Sequence, residues 1–193
     1  MWEIIRQIFP YAIAFTIPLL ITALGGLFSE RSGIVNIGLE GLMVMGFFAA
    51  AITIYRLEPV MPNAGLRVLL GLAAAIAAGV LFSLLHAVAS INMKANQVIS
   101  GTAINMMAGA ITVYLARNIT GSGNIHITAG VPRFDIPGLV KIPILGPLFF
   151  RQTYITTWIV LVLLLASWYL LYKTPFGLRL RACGEHPHAA ASA

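Results

Sequence analysis

Five stretches of this chain carry no charged side chain, and each is about the length that a bilayer demands of a helix. Residues 7–29, 41–55, 68–93, 95–116 and 153–172 are free of Asp, Glu, Lys and Arg. The first, 23 residues, would reach roughly 35 Å as a helix, enough for a hydrocarbon core of about 30 Å. The second spans only if its helix begins upstream, near Ile37, and takes Glu40 with it. Lys94 alone divides the third run from the fourth, so "SINMKANQ" reads as a tight turn at the membrane surface. Charged residues make up 9% of the chain, against about 25% in an ordinary soluble domain. The fold class expected is therefore all-α: a polytopic integral membrane bundle of about five transmembrane helices in a lipid bilayer.

The same composition narrows function. The net charge of +6 is scattered through the connecting segments, with no basic block interleaved with aromatics, so nucleic-acid binding is not expected. One cysteine, Cys183, excludes an intrachain disulfide. The histidines at 86, 126, 186 and 188 do not form a metal-ligand spacing, and no metal or other cofactor is expected. Neither a Gly-x-Ser-x-Gly elbow nor a phosphate-cradling Gly-x4-Gly-Lys-Ser/Thr loop occurs, so no catalytic residue is assigned. The first 29 residues lack the short apolar core and cleavage site of a signal peptide.

Between residues 117 and 152 the composition changes. Prolines at 132, 137, 143 and 147 forbid a continuous helix, so this is read as an extramembrane loop of extended or interfacial pieces. Five spans put seven cationic residues on the side of this loop and five on the other. Setting aside the loop's own four, because long loops translocate regardless of charge, leaves three against five and puts the C-terminal tail in the cytoplasm.

Small residues mark the faces that meet protein. Gly71, Ala75, Gly79 and Ser83 recur at every fourth position, as do Gly101, Asn105 and Gly109. Asn105 then either bonds a neighbouring helix or lines a polar path. His86, with no second titratable group at helical spacing, reads as a hydrogen-bonded structural histidine. Trp158 and Trp168 read as interfacial or packing aromatics.

The most unusual segment is "FSERSGIVNIGLEGLMVMG", residues 28–46, where Gly33, Gly38, Gly41 and Gly46 flank Asn36 and Glu40. Glycines let the backbone break, and a break at membrane depth is tolerated where it lines a cavity or packs in protein. Transporters build substrate sites this way. A surface turn with Glu40 paired structurally is the other reading.

This hairpin, with "NQVISGTAINMMAGAITVYL" (96–115) and "TPFGLRLRACGEHPHAA" (174–190), resembles permease subunits of bacterial ABC importers for nucleosides and simple sugars. They are part of the branched-chain amino acid and ribose permease group. The three motifs occur in the same order and span nearly the whole chain. The resemblance implies a bacterial inner-membrane permease that forms the translocation path and is not itself an enzyme. Its implied partners are a cytoplasmic ATP-binding subunit that hydrolyses ATP, a second permease subunit and an extracytoplasmic substrate-binding lipoprotein. It places Asn36 and Glu40 near the path. Residues 1–172 become the membrane region with 117–152 as an extracytoplasmic loop, and 173–193 a cytoplasmic tail.

That tail would open the ATPase-coupling segment, with Gly184, Glu185 and Pro187 as its coupling residues. The alternation of Leu178, Leu180 and Ala182 with Arg179 and Arg181 predicts an extended or interfacial piece there. Pro187 is placed as the first residue of a helix, with Glu185 just before its positive end. A basic juxtamembrane tail held by anionic lipid is the simpler reading of the same residues. Permeases of this group continue beyond such a segment, so the sequence is expected to be the N-terminal portion of a larger permease fold. A truncated remnant without activity, and a small channel or secondary transporter with Glu40 as its coupling carboxylate, are the alternatives.

Overall fold

The computed structural model describes residues 1–192, and the chain divides into two compact units, residues 34–130 and residues 1–33 with 131–193. Among the described residues, five helices are long and apolar enough to cross a membrane: Trp2–Arg31, Leu39–Leu57, Ala64–Asn92, Gln97–Thr120 and Ile155–Lys173. The all-α polytopic bundle expected from the uncharged runs is thus the fold observed.

The unit of residues 34–130 contains α2 (Leu39–Leu57), α3 (Ala64–Ala87) and α4 (Gln97–Thr120). Asparagine begins two of these helices. Asn63 Oδ1 accepts from the Leu66 amide at 3.1 Å, and Asn96 Oδ1 accepts from the Val98 and Ile99 amides at 2.9 and 3.2 Å. Each supplies acceptors that the first turn of a helix otherwise lacks. α3 ends in a π-helical turn, Val88–Asn92, and Lys94 then adopts a left-handed φ of 53°, which makes the expected tight turn. Gly121, with φ 75°, ends α4 by donating to the Arg117 carbonyl at 2.8 Å.

Phe82, Ile104 and Ala108 form a buried cluster against which Leu42, Met45 and Ile111 pack. The small-residue ridge of α3 is used over part of its length. A Cβ on Gly71 would lie 2.9 Å from Ile54 Cγ1, whereas one on Gly79 would meet nothing within 4 Å. His86, 4% exposed, pairs its Nδ1 with Ser100 Oγ at 3.0 Å, which is the structural role expected of it.

The other unit contains α1 (Trp2–Arg31), the strands β1 (Arg133–Phe134) and β2 (Thr153–Tyr154), α5 (Ile155–Lys173), α6 (Pro175–Glu185) and α7 (Pro187–Ser192). The strands pair antiparallel, Arg133 opposite Tyr154. Arg133 Nε donates to the Tyr154 hydroxyl at 2.7 Å, and its guanidinium lies 4.7 Å from the Tyr11 ring centre. The Tyr154 hydrogen bond, followed by that of Tyr11, raises the Arg133 pKa above its ordinary value. Phe150 stacks on Trp158 at 5.5 Å, so this tryptophan packs against protein. The loop begins slightly later than expected, because α4 continues through Arg117 to Thr120.

One local expectation is overturned. Residues 178–182, predicted to be an extended or interfacial piece rather than a helix, lie inside the 11-residue helix α6. Thr174 Oγ1 accepts from the Gly177 amide at 3.3 Å, and Pro175 occupies the first turn. A cap and a pre-set φ nucleate the helix, and Leu, Arg and Ala propagate it well. Those local terms outweigh a five-residue alternation. α7 does begin at Pro187, as expected.

Candidate functional site

Between Ile34 and Gly38 the backbone is not helical, so its amides and carbonyls need partners from elsewhere. α4 provides them from one face, at positions four residues apart. Gln97 Oε1 accepts from the Val35 amide at 2.8 Å. Asn105 Nδ2 donates to the Ile37 carbonyl at 3.1 Å, and its Oδ1 accepts from the Gly41 amide at 2.7 Å. Between them Gly101 lets the two backbones touch: a Cβ there would lie 2.9 Å from Gly38 N and 3.1 Å from Ile37 Cβ.

The opposing surface is equally small. A Cβ on Gly41 would lie 2.8 Å from the Ile104 carbonyl oxygen and 2.9 Å from Asn105 Cα. Asn36 closes the turn locally, its Oδ1 accepting from the Gly38 amide at 3.0 Å. Such a side-chain acceptor two residues upstream is an Asx turn. The Gly38 N-cap has no side-chain acceptor of its own, so Asn105 satisfies one of α2's free amides from another helix. Replacing Asn105 with leucine would orphan both groups. The expected cost is about 1–2 kcal/mol, read as a lowered midpoint on thermal unfolding in detergent.

Asn36 and Asn105 therefore converge on one short segment, and both are engaged with backbone. Glu40 differs. It sits in the first turn of α2, exposed, and the one ion pair among the described residues is Arg6–Glu3. Gln97 escaped the sequence reading, although its spacing from Gly101 and Asn105 was a usable signal.

Gly184, Glu185 and Pro187, expected to belong to a coupling segment, lie in the unit that also contains α1. A Cβ on Gly184 would collide with the Arg31 carbonyl oxygen and would lie 3.0 Å from Gly33 N. Gly33 itself has φ 87° and would bring a Cβ to 3.1 Å from Gly184 Cα. Arg181 extends over the Tyr172 ring at 5.1 Å. Glu185 is the last residue of α6 and Pro187 the first of α7; both are exposed.

Comparison with known proteins bears on these features. The family described as branched-chain amino acid transport system / permease component matches residues 8–193. The chain belongs to this permease family. Among curated relatives, the permease is 46% identical to the guanosine ABC transporter permease protein NupQ of Bacillus subtilis, over 97% of this chain and 59% of that protein. It is 40% identical to the nucleoside ABC transporter permease protein NupC of Lactococcus lactis, over 92% of this chain and 56% of the relative. The putative glucose ABC transporter permease protein TsgC13 of Haloferax volcanii is 34% identical, over 89% and 50% respectively. The permease chain thus spans about half the length of the curated relatives it matches. No solved structure matches it. With its five apolar helices, it is a multi-pass membrane protein.

Proposed function

We propose that this chain supplies part of the translocation path of an ATP-driven importer for a nucleoside or a related simple sugar in a bacterial cell membrane. The observation that carries the reading is the non-helical segment at the head of α2. It is fastened to α4 through backbone groups, and it leaves the Glu40 carboxylate exposed beside it. Irregular backbone at the start of a membrane helix is the construction from which transporters make polar sites. The nucleoside permeases among the relatives support the substrate class.

In this reading Asn36 and Asn105 shape the segment, and Glu40 faces the path. Residues 1–172 form the membrane region, with the 117–152 loop outside the cell. Residues 173–193 lie in the cytoplasm, where Gly184, Glu185 and Pro187 belong to the segment that meets a separate ATP-binding subunit. A second permease subunit and an extracytoplasmic substrate-binding lipoprotein complete the assembly. No cofactor is required of this chain, and ATP hydrolysis takes place on the other subunit.

Glu40→Ala in the complete transporter tests the reading. Nucleoside uptake is expected to fall about tenfold, equivalent to roughly 1.4 kcal/mol in the rate-limiting barrier, while membrane insertion is unchanged. Normal uptake by the variant would remove Glu40 from the mechanism. Wild-type uptake that continued without the ATP-binding subunit would replace the reading with an ATPase-independent carrier.

A further inference from the structure

The unit of residues 34–130 also holds a cavity of about 520 Å³, away from the α2–α4 fastening. Its walls come from the middle of α2, the second half of α4 and the loop after α4, with Phe47, Phe48, Ala51, Thr112, Asn124 and His126 among them. That volume lies within the range of about 300–1,000 Å³ usual for small-molecule sites. The loop reaches this position by two left-handed turns, at Gly121 with φ 75° and Gly123 with φ 79°.

The lining has two distinct sides. The helical side is apolar and aromatic. The one hydroxyl there, Thr112 Oγ1, donates to its own helix, to the Ala108 carbonyl at 2.8 Å and the Gly109 carbonyl at 3.2 Å. The loop side carries the Asn124 amide and the His126 imidazole. Both residues are exposed, and neither side chain makes a hydrogen bond among the described residues. A ligand matched to this lining has a flat apolar face and a polar edge. A bare sugar, polar all round, would leave the phenyl rings unused. An acyl chain would leave the amide and imidazole unused.

We propose that this cavity binds the base of a nucleoside, with Phe47 and Phe48 against the ring and Asn124 and His126 at its polar edge. This site is separate from the Glu40 segment, although its ligand class rests on the permease reading. Phe47 is 73% exposed, so changing it disturbs little packing.

The test uses the whole chain in lipid nanodiscs with tritiated guanosine as the probe, and circular dichroism to check the fold. Saturable binding is expected, with ribose failing to compete. Phe47→Leu keeps an apolar side chain but removes the ring, and it should weaken binding about tenfold. Asn124→Ala should weaken binding severalfold. Absence of saturable binding, indifference to both substitutions, or equal competition by ribose would overturn the site. Guanosine uptake by the complete transporter would in that case leave the permease reading standing, because uptake is measured independently of this binding.

Discussion

Gly101→Val is expected to unfasten the head of α2 and to lower the stability of the chain by about 3 kcal/mol or more. The reason is geometric. A Cβ at this position would stand 2.9 Å from Gly38 N and 3.1 Å from Ile37 Cβ, and both are tied to a backbone already bonded to α4. Relief would require α2 and α4 to separate, and separation would break the two Asn105 hydrogen bonds and the Gln97 bond together. The control lies on the same helix. Gly109 has nothing within 4 Å of its would-be Cβ, so Gly109→Val should change stability by less than about 1 kcal/mol. Unfolding curves in detergent read the difference directly, and a cysteine at position 36 should become more reactive to a thiol reagent in the first variant only. Equal behaviour of the two variants would remove close approach as the cause.

The second large effect is expected at Gly184. Any side chain there would run into the Arg31 carbonyl, so Gly184→Leu must lift α6 from the end of α1. Within this chain, the released helix should be cut faster by trypsin at Arg179 and Arg181, the first of which is exposed. In the complete transporter, ATP-driven uptake should fall about a hundredfold, towards the upper end of coupling effects between separated sites. Insertion should persist because the five apolar helices are untouched. Unchanged uptake with accelerated proteolysis would show that the contact holds α6 without contributing to coupling.

The five spans were legible because hydrocarbon imposes a length and a charge rule on every one of them. The break before α2 was legible for a related reason. A cluster of glycines with Asn36 and Glu40 between two apolar runs marks a bend or break of the backbone, and the structure does leave helical geometry there. What holds the break was only half visible. Gly101 and Asn105 stood out by spacing, but Gln97 looked like one more polar residue at a turn until its bond to Val35 placed it in the same row.

Small residues also carry an ambiguity that sequence cannot remove. Gly71 and Gly79 share one face of α3, yet only Gly71 has a partner at its surface. Whether a small residue is used depends on where the neighbouring helix crosses, which is a tertiary fact. The error at 178–182 has the opposite origin. There the local signals of Thr174 and Pro175 were present in the sequence and outweighed the alternation of Leu with Arg.

The fastening at the head of α2 reads only main-chain atoms of Val35, Ile37 and Gly41. Val35 and Ile37 themselves are 45% and 41% exposed, so their side chains are not what keeps the kink in place. Shape and chemistry at this spot are therefore separable. Varying the side chain at position 35 should accordingly leave all three fastening hydrogen bonds in place.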